Sequence, residues 1–275
     1  MFVQRSGNPT LNAFQAPSYA DLSDAPVAGG AVAAAPAGVM TLQGTIIKSA
    51  TLVAVCAITA ILVWKAMMGG VFGISLAPMP TLLVGCLGGL VLALVVTFVP
   101  KTAAFLSTPY AVLEGAALSA FSLFVAERWL GGADNPAATG TIFQAVVLTF
   151  TIAAGMLVAY WSGLIKGGRV FRAVLMTGLI GLVLYGVTLF IGNFLLGAAI
   201  PNLYASTSPM GIGFTGLCVV LASLFLVLDF RMIEEGVKRG APKHMEWYGA
   251  FSLLVTLVWI YIEVLRLLAK LRSSD

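Results

Sequence analysis

The stretch GFTGLCVVLASLFLVLDF (residues 213–230), followed after a charged turn by FSLLVTLVWIYIEVLRLLAKL (residues 251–271), decides the fold of this protein. The first run carries one acid, Asp229, and the second carries Glu263 and Arg266 inside an otherwise apolar helix. Small and polar residues recur every three or four positions along the second helix: Gly249, Ser252, Thr256, Trp259, Glu263, Arg266 and Lys270. At about 3.6 residues per turn, this spacing puts them on one face. A carboxylate at the membrane centre costs roughly 2.5–3.5 kcal/mol against lipid, so this face is predicted to turn toward protein or water.

The composition excludes an ordinary soluble domain. Hydrophobic residues make up 60% of the 275 positions, charged residues make up 9%, and the mean hydropathy is +1.01. No charged residue occurs between Arg172 and Asp229. These values predict an all-α, polytopic membrane protein. The pI of about 9.1 comes from loop Lys and Arg rather than from a basic patch with interleaved aromatic residues, so nucleic acid is not an expected partner.

Residues that carry enzyme chemistry are scarce. The three cysteines, Cys56, Cys86 and Cys218, lie in apolar runs, where a free cysteine packs as a small hydrophobic residue. With a single histidine, His244, a cluster of histidine metal ligands is not expected. The chain lacks an HExxH motif, and YIEV on the last run does not match the GxGD motif of intramembrane aspartyl proteases. We therefore expect no enzyme activity, no catalytic residue and no cofactor.

Residues 1–44 are rich in Ala, Gly, Pro and Ser and have little apolar periodicity, which predicts a disordered tail. Within it, SGNPTLNAF (6–14) fits either a docking segment or a plain linker. Residues 45–275 are predicted to form one seven-helix transmembrane domain. Its apolar runs, each near the ~20 residues that span a bilayer, are Ile46–Met68, Leu82–Val99, Tyr110–Arg128, Thr141–Leu164, Phe171–Gly197, Met210–Phe230 and about Trp247–Leu271.

The distribution of Lys and Arg predicts the orientation in the membrane. The tail and the even-numbered loops hold ten basic residues: Arg5, Lys48, Lys101, Lys166, Arg169, Arg172, Arg231, Lys238, Arg239 and Lys243. The opposite side holds five: Lys65, Arg128, Arg266, Lys270 and Arg272. We therefore expect a cytoplasmic N-terminus and, after seven crossings, a C-terminus on the other side.

Asp229 and Glu263 are a candidate acid pair on helices six and seven, because both lie equally far from Glu246. Two carboxyls in a dry site cannot both ionise cheaply, so a pair would titrate as a unit or bind a hard cation such as Ca²⁺. A turn at residues 240–242 would instead place Glu263 higher by roughly 13 Å. In another open alternative, Asp229 ends its helix near Arg231, and Glu263 pairs with the counter-charge of Arg266 three residues on.

Glu114 is a third acid within an apolar run, the third one. With the predicted orientation it lies one to two turns inside the cytoplasmic face. It could line the cytoplasmic end of a cation path, or it could be an interfacial acid that reaches toward water.

Several segments together resemble the bacterial branch of the Bax inhibitor-1/YccA-like membrane proteins. They are SGNPTLNAF (6–14), MTLQGTIIKSA (40–50), PYAVLEG (109–115), LVLDF (226–230) and above all APKHMEWYGAFSLLVTLVWIYIEVLRLLAKL (241–271). The resemblance implies a seven-helix fold in which the last helix is wrapped by the other six. It also implies a pH-sensing pair of acids on helices six and seven, at positions matched here by Asp229 and Glu263. Members that gate through an arginine on helix two differ from this chain, whose second run has no charged residue.

Two functions follow as expectations from the resemblance and from the three intramembrane acids. The first is a pH-sensitive Ca²⁺ or other cation leak pathway. The alternative is a non-conducting regulator that binds a membrane AAA protease or another membrane protein through the N-terminal tail. In either case we expect a multi-pass monomer in the bacterial cytoplasmic (inner) membrane, with the lipid bilayer as a partner.

Overall fold

The computed structural model describes residues 38–70, 75–165, 167–197 and 200–273. The predicted docking segment at residues 6–14, with the rest of the tail up to residue 37, lies outside the described residues, as do the basic residues Arg5 and Lys166. The predictions that concern them therefore stay predictions.

Seven long helices make up the described part of the chain, and all seven are long and apolar enough to cross a membrane. This confirms the predicted all-α, seven-helix membrane class. In chain order they are α1 Leu42–Met68, α2 Pro78–Phe98, α3 Ala103–Trp129, α4 Pro136–Trp161, α5 Arg169–Leu189, α6 Pro209–Lys238 and α7 Met245–Ser273. A short 3₁₀ turn precedes α3, and a π-helical segment, Phe190–Leu195, follows α5.

Local signals in the sequence fix where several helices begin. Thr41, Asn135 and Ser208 stand directly before α1, α4 and α6, and each side chain accepts a hydrogen bond from a backbone N–H of the first turn. Pro136 and Pro209 then occupy the first helical position, where the missing N–H has no cost.

Several helices begin or end a few residues away from the predicted runs, and two of these differences have a clear physical reason. Pro109 was predicted to open the third run, but it lies inside α3, which begins at Ala103. A membrane helix tolerates an internal proline when its neighbours bond the freed carbonyl. The sixth run was predicted to end at Phe230, whereas α6 continues to Lys238. Ion pairs four residues apart, such as Arg231 with Glu235, extend this helix beyond its apolar part.

Helices α3 and α7 form the interior of the bundle. In the most apolar 18-residue stretch of each helix, the buried share is 56% for α3 and 50% for α7. The corresponding share is only 11% for α1, α4 and α5. Four helices pack against α7: α1, α3, α4 and α6. Two core clusters lie along α7, one around Phe251 and Leu254 and the other around Ile260 and Leu265. The outer helices expose mostly apolar side chains, which suits a surface that faces lipid.

The GxxxG spacing of α2, formed by Gly85 and Gly89, marks a close helix contact. A methyl group added at Gly85 would lie 2.8 Å from the Cβ of Ala117 on α3 and 2.9 Å from the carbonyl oxygen of Leu113. Since real Cβ atoms do not approach this closely, the contact requires glycine at this position.

The start of α1 is joined to the turn before α7. Val39 pairs with Pro242 as an isolated antiparallel bridge, and the Met40 N–H donates to the Ala241 carbonyl oxygen at 2.7 Å. This backbone pairing holds the residues that lead into α1 against the start of the central helix.

Glu246, in the first turn of α7, completes this connection. It is 1% exposed, accepts hydrogen bonds from the backbone N–H and the hydroxyl of Thr41 at 2.9 Å each, and forms an ion pair with Lys48 of α1. The Lys48 ammonium also lies over the Trp247 ring. We call this contact between residues 38–48 and 241–247 the clasp.

We expect Glu246→Gln to lower the free energy of unfolding by about 3 kcal/mol, because it leaves Lys48 without its partner in a mostly buried site. Reversible unfolding in detergent measures the loss. Lys238→Met is the matched control: it breaks the exposed pair with Glu234 and should change stability by no more than about 1 kcal/mol. Equal losses in the two variants would contradict a structural role for the clasp.

Candidate functional site

Asp229 lies in a site made of hydroxyl groups. Its side chain is buried on α6, where Ser252 of α7 donates to Oδ1 at 2.5 Å and Thr256 donates to Oδ2 at 2.6 Å. Both donors come from the polar face of α7 predicted from the sequence. Each carboxylate oxygen thus has one hydroxyl donor from the neighbouring helix, so the carboxylate ties α6 to α7 by two charge-assisted hydrogen bonds.

Glu263 lies in a second, separate site. Its carboxylate accepts two hydrogen bonds from one guanidinium nitrogen of Arg266, at 2.9 and 3.0 Å. The guanidinium also lies over the rings of Phe121 on α3 and Tyr204 in the loop before α6. The predicted counter-charge of Arg266 is therefore in place.

The predicted pairing of Asp229 with Glu263 is wrong in this structure. Asp229 is level with residues 252–256 of α7, and Glu263 lies about nine residues further along, which is roughly 13 Å at a rise of about 1.5 Å per residue. The cause is the late turn: α6 runs on to Lys238, and the chain reverses at Gly240, whose φ of +63° favours glycine. The two carboxylates therefore have different partners and lie in separate sites.

The position on α7 that faces Asp229 is Thr256 rather than Glu263. The family resemblance implied that Glu263 is the second acid of the pair. In the structure, the group of α7 that faces Asp229 at this level is the hydroxyl of Thr256. The alternative in which Asp229 ends its helix near Arg231 is also wrong, because α6 continues and Arg231 bonds Glu235. The alternative in which Glu263 pairs with Arg266 is confirmed.

An aromatic pair lies between the two acidic sites. The Phe225 ring on α6 and the Trp259 ring on α7 have centroids 5.6 Å apart. Phe225 is one turn before Asp229 on α6, and Trp259 is one turn before Glu263 on α7. Neither ring has an oxygen atom that could replace the water around a cation, so the pair separates the sites.

Lys270 lies beyond Glu263, toward the C-terminal end of α7. Its side chain is 0% exposed, and its ammonium donates to the carbonyl oxygens of Leu203 and Gly211 and to the hydroxyl of Thr215. Together the Asp229 site, the aromatic pair, the Glu263 site and the Lys270 site form one column along the interface of α6 and α7, which we call the polar column.

Glu114 is outside the polar column. It lies on α3, where it interacts with the hydroxyl of Tyr110 and where its Oε1 would be 2.9 Å from a methyl group added at Gly89 of α2. Glu114 therefore lies at the interface of α2 and α3. Its predicted role at the cytoplasmic end of a cation path stays a prediction.

Some residues of the site were missing from the sequence-based candidates. Ser252, Thr256 and Lys270 were recognised as members of the polar face, but only the acids and Arg266 were assigned roles. The signal for Ser252 and Thr256 was their spacing of four residues, which makes a pair of donors for one acceptor on a neighbouring helix. No local signal indicated that a loop carbonyl, that of Leu203, would reach Lys270.

Among the described residues, no three side chains of His, Cys, Asp or Glu come close enough together to hold a metal ion. Each buried carboxylate of the polar column is instead bonded to protein donors. Chemically, the column offers single carboxylates, hydroxyls and carbonyl oxygens, the atoms that replace water around a hard cation.

Seven apolar helices, the last of them half-buried with its polar groups directed inward, define a multi-pass membrane protein. The chain belongs to the Bax inhibitor 1 like family, whose model matches residues 4–273. This confirms the resemblance inferred from the sequence. Members of this family are generally membrane proteins without enzyme activity. None of the curated proteins matches the chain.

We expect Thr256→Val to lower the free energy of unfolding by roughly 1.5–3 kcal/mol, since the carboxylate of Asp229 loses a buried donor without a change in side-chain volume. Thr151→Val is the matched control, because the Thr151 hydroxyl is exposed and bonds only the Val147 carbonyl of its own helix. Unfolding in detergent compares the two. A Thr256 variant as stable as the control would show that the hydroxyl does not support Asp229.

Proposed function

We propose that this member of the family is a pH-sensitive cation leak pathway, with Ca²⁺ as a permeant ion. The observation that carries the proposal is the polar column, a line of buried oxygen atoms and two single carboxylates between α6 and α7. The described conformation corresponds to the closed state. The aromatic pair of Phe225 and Trp259 interrupts the column, and Arg266 neutralises Glu263.

The pH response follows from Asp229 alone rather than from a shared proton. As a carboxylate, Asp229 accepts from both Ser252 and Thr256 and holds α6 against α7. Protonation removes the charge and turns one oxygen into a donor, which weakens both hydrogen bonds. The contact between α6 and α7 therefore differs between the ionised and the protonated side chain, so the leak rate should depend on pH across the titration of Asp229.

We place the protein in the bacterial inner membrane with its N-terminus in the cytoplasm, on the distribution of Lys and Arg. In this orientation the clasp lies at the cytoplasmic side, and Lys270 lies at the opposite end of the polar column.

Ca²⁺ uptake into proteoliposomes that contain a trapped indicator tests this function as the pH is stepped from about 8 to about 5. The wild-type leak rate should change across this range. Asp229→Asn, which imitates the protonated side chain, should leak at the same rate at every pH, and Glu263→Gln should release Arg266 and raise the rate with the pH response retained.

Glu235→Gln is the matched control, since it removes an exposed acid of the same helix, two turns from Asp229. It should behave as the wild type. Wild-type vesicles that take up no more Ca²⁺ than empty ones would refute the leak, and an Asp229→Asn variant with the wild-type pH profile would refute Asp229 as the sensor.

A second candidate function is a non-conducting regulator that binds a membrane AAA protease or another membrane protein. The clasp favours it, because Thr41 and Lys48, close after the tail, are bonded directly to Glu246 of the central helix. A partner that pulls on the chain before residue 38 would act on α7 without entering the membrane.

Deletion of residues 1–37 tests this second function, since it leaves the clasp and the Thr41 cap of α1 intact. We expect the shortened chain to keep the wild-type unfolding temperature and to lose capture of the membrane protease in pull-downs from detergent extracts. Glu246→Gln in the full-length chain serves as the comparison, because it loosens the clasp and keeps the tail. Capture that survives the deletion would argue against the tail as the binding segment.

A further inference from the structure

In the described part of the chain, Lys270 forms hydrogen bonds with oxygen acceptors only. Its Nζ atom donates to the Leu203 carbonyl at 2.8 Å, to the Gly211 carbonyl at 3.1 Å and to the Thr215 hydroxyl oxygen at 2.8 Å. An ammonium has three N–H bonds, and these three oxygens account for all of them. The Thr215 hydroxyl donates its own proton to the Gly211 carbonyl, so it presents a lone pair to the ammonium.

Among the described residues, none of the hydrogen-bond partners of this buried ammonium is a carboxylate. Glu263, two turns earlier on the same helix, is bonded to Arg266 instead. A charge removed from water without an opposite charge is costly unless oxygen atoms replace its hydration shell. The cluster of Leu203, Gly211 and Thr215 oxygens supplies that replacement, and we call it the oxygen cage.

Neutral carbonyl and hydroxyl oxygens around one positive charge are the ligands that proteins use for monovalent cations. Potassium channels replace the hydration shell of K⁺ with carbonyl oxygens, whereas Ca²⁺ sites depend on carboxylates. The ammonium of Lys270 therefore has the charge and the coordination of a bound monovalent cation, but it is covalently attached to α7.

We propose that the oxygen cage is a binding site for a monovalent alkali cation, and that Lys270 occupies it as a tethered cation and closes this end of the polar column. When the ammonium is removed or displaced, K⁺ takes its place. The closing role rests on the proposed cation pathway, but the binding site does not.

The position of the cage explains how closure works. Two of its oxygens belong to α6 and one to the preceding loop, so Lys270 joins α7 to both. The same loop places the Tyr204 ring on Arg266, one turn earlier on α7. A cation that moves along the column meets two fixed positive charges here, which repel it until the lysine leaves the cage.

The experiment uses the full-length protein in detergent and compares the wild type with Lys270→Met, which keeps the length of the side chain and removes the charge. Thermal unfolding is followed in choline chloride and in mixtures in which KCl replaces it at constant ionic strength. We expect Lys270→Met to unfold several degrees below the wild type in choline and to regain stability saturably with K⁺. The unfolding temperature of the wild type should not depend on K⁺.

Lys65→Met is the matched control. It removes an exposed lysine from the last turn of α1, which ends on the same side of the bundle, and it leaves the cage untouched. Its unfolding temperature should not respond to K⁺. If Lys270→Met is equally stable in choline and in K⁺, the binding site is refuted.

Thr215→Val keeps the test decisive if Lys270→Met does not fold. This variant removes one cage oxygen and retains the lysine, so Lys270 should become reactive toward an amine-directed reagent, as measured by mass spectrometry of its peptide. Thr188→Val, which removes an exposed hydroxyl bonded only within α5, is the control and should leave Lys270 protected. Equal protection of Lys270 in the two variants would refute the cage.

Ca²⁺ uptake by proteoliposomes separates the site from the pathway. Lys270→Met should leak several-fold faster than the wild type at the same pH. Stabilisation by K⁺ without any leak in either protein would uphold the site and refute the cation pathway with its closure. A faster leak without stabilisation by K⁺ would uphold the pathway and refute the site.

Discussion

In the hydrocarbon of a membrane, a polar side chain finds no water to bond, and this constraint governs the central helix α7. Each charged group that α7 turns inward is matched by protein atoms: Glu246 by Thr41 and Lys48, Glu263 by Arg266, and Lys270 by the oxygen cage. The polar groups of α7 therefore specify which neighbouring segment packs at each level. Apolar packing, which is nearly equivalent around a lipid-facing helix, cannot specify this by itself.

The same constraint links the proposed function to stability. Asp229 and Lys270 bond α6 to α7 at two heights, with the aromatic pair of Phe225 and Trp259 between them. Any movement of an ion along this interface has to exchange protein–protein hydrogen bonds for protein–ion contacts. The hydrogen bonds that would close the proposed pathway are therefore the same ones that hold α6 and α7 together.

The clasp and the polar column lie at different levels of α7, and the helix connects them. Glu246 holds the first turn, whereas Lys270 holds the last. Because Glu246 and Lys270 lie on one continuous helix, a displacement of α7 at the clasp would move the groups that α7 contributes to the column relative to α6. Both candidate functions, the leak and the regulator, would therefore depend on a movement of α7.

The sequence by itself determined the seven spans and the inward face of α7, because hydropathy and helical spacing are local properties that add along the chain. It did not determine the partners of Asp229 and Glu263. Those depend on where α6 ends and where the chain turns, and each added residue shifts a side chain by about 1.5 Å and rotates it by about 100°. Only the tertiary structure, with its turn at Gly240, placed Thr256 opposite Asp229 and brought the carbonyl of Leu203 to Lys270.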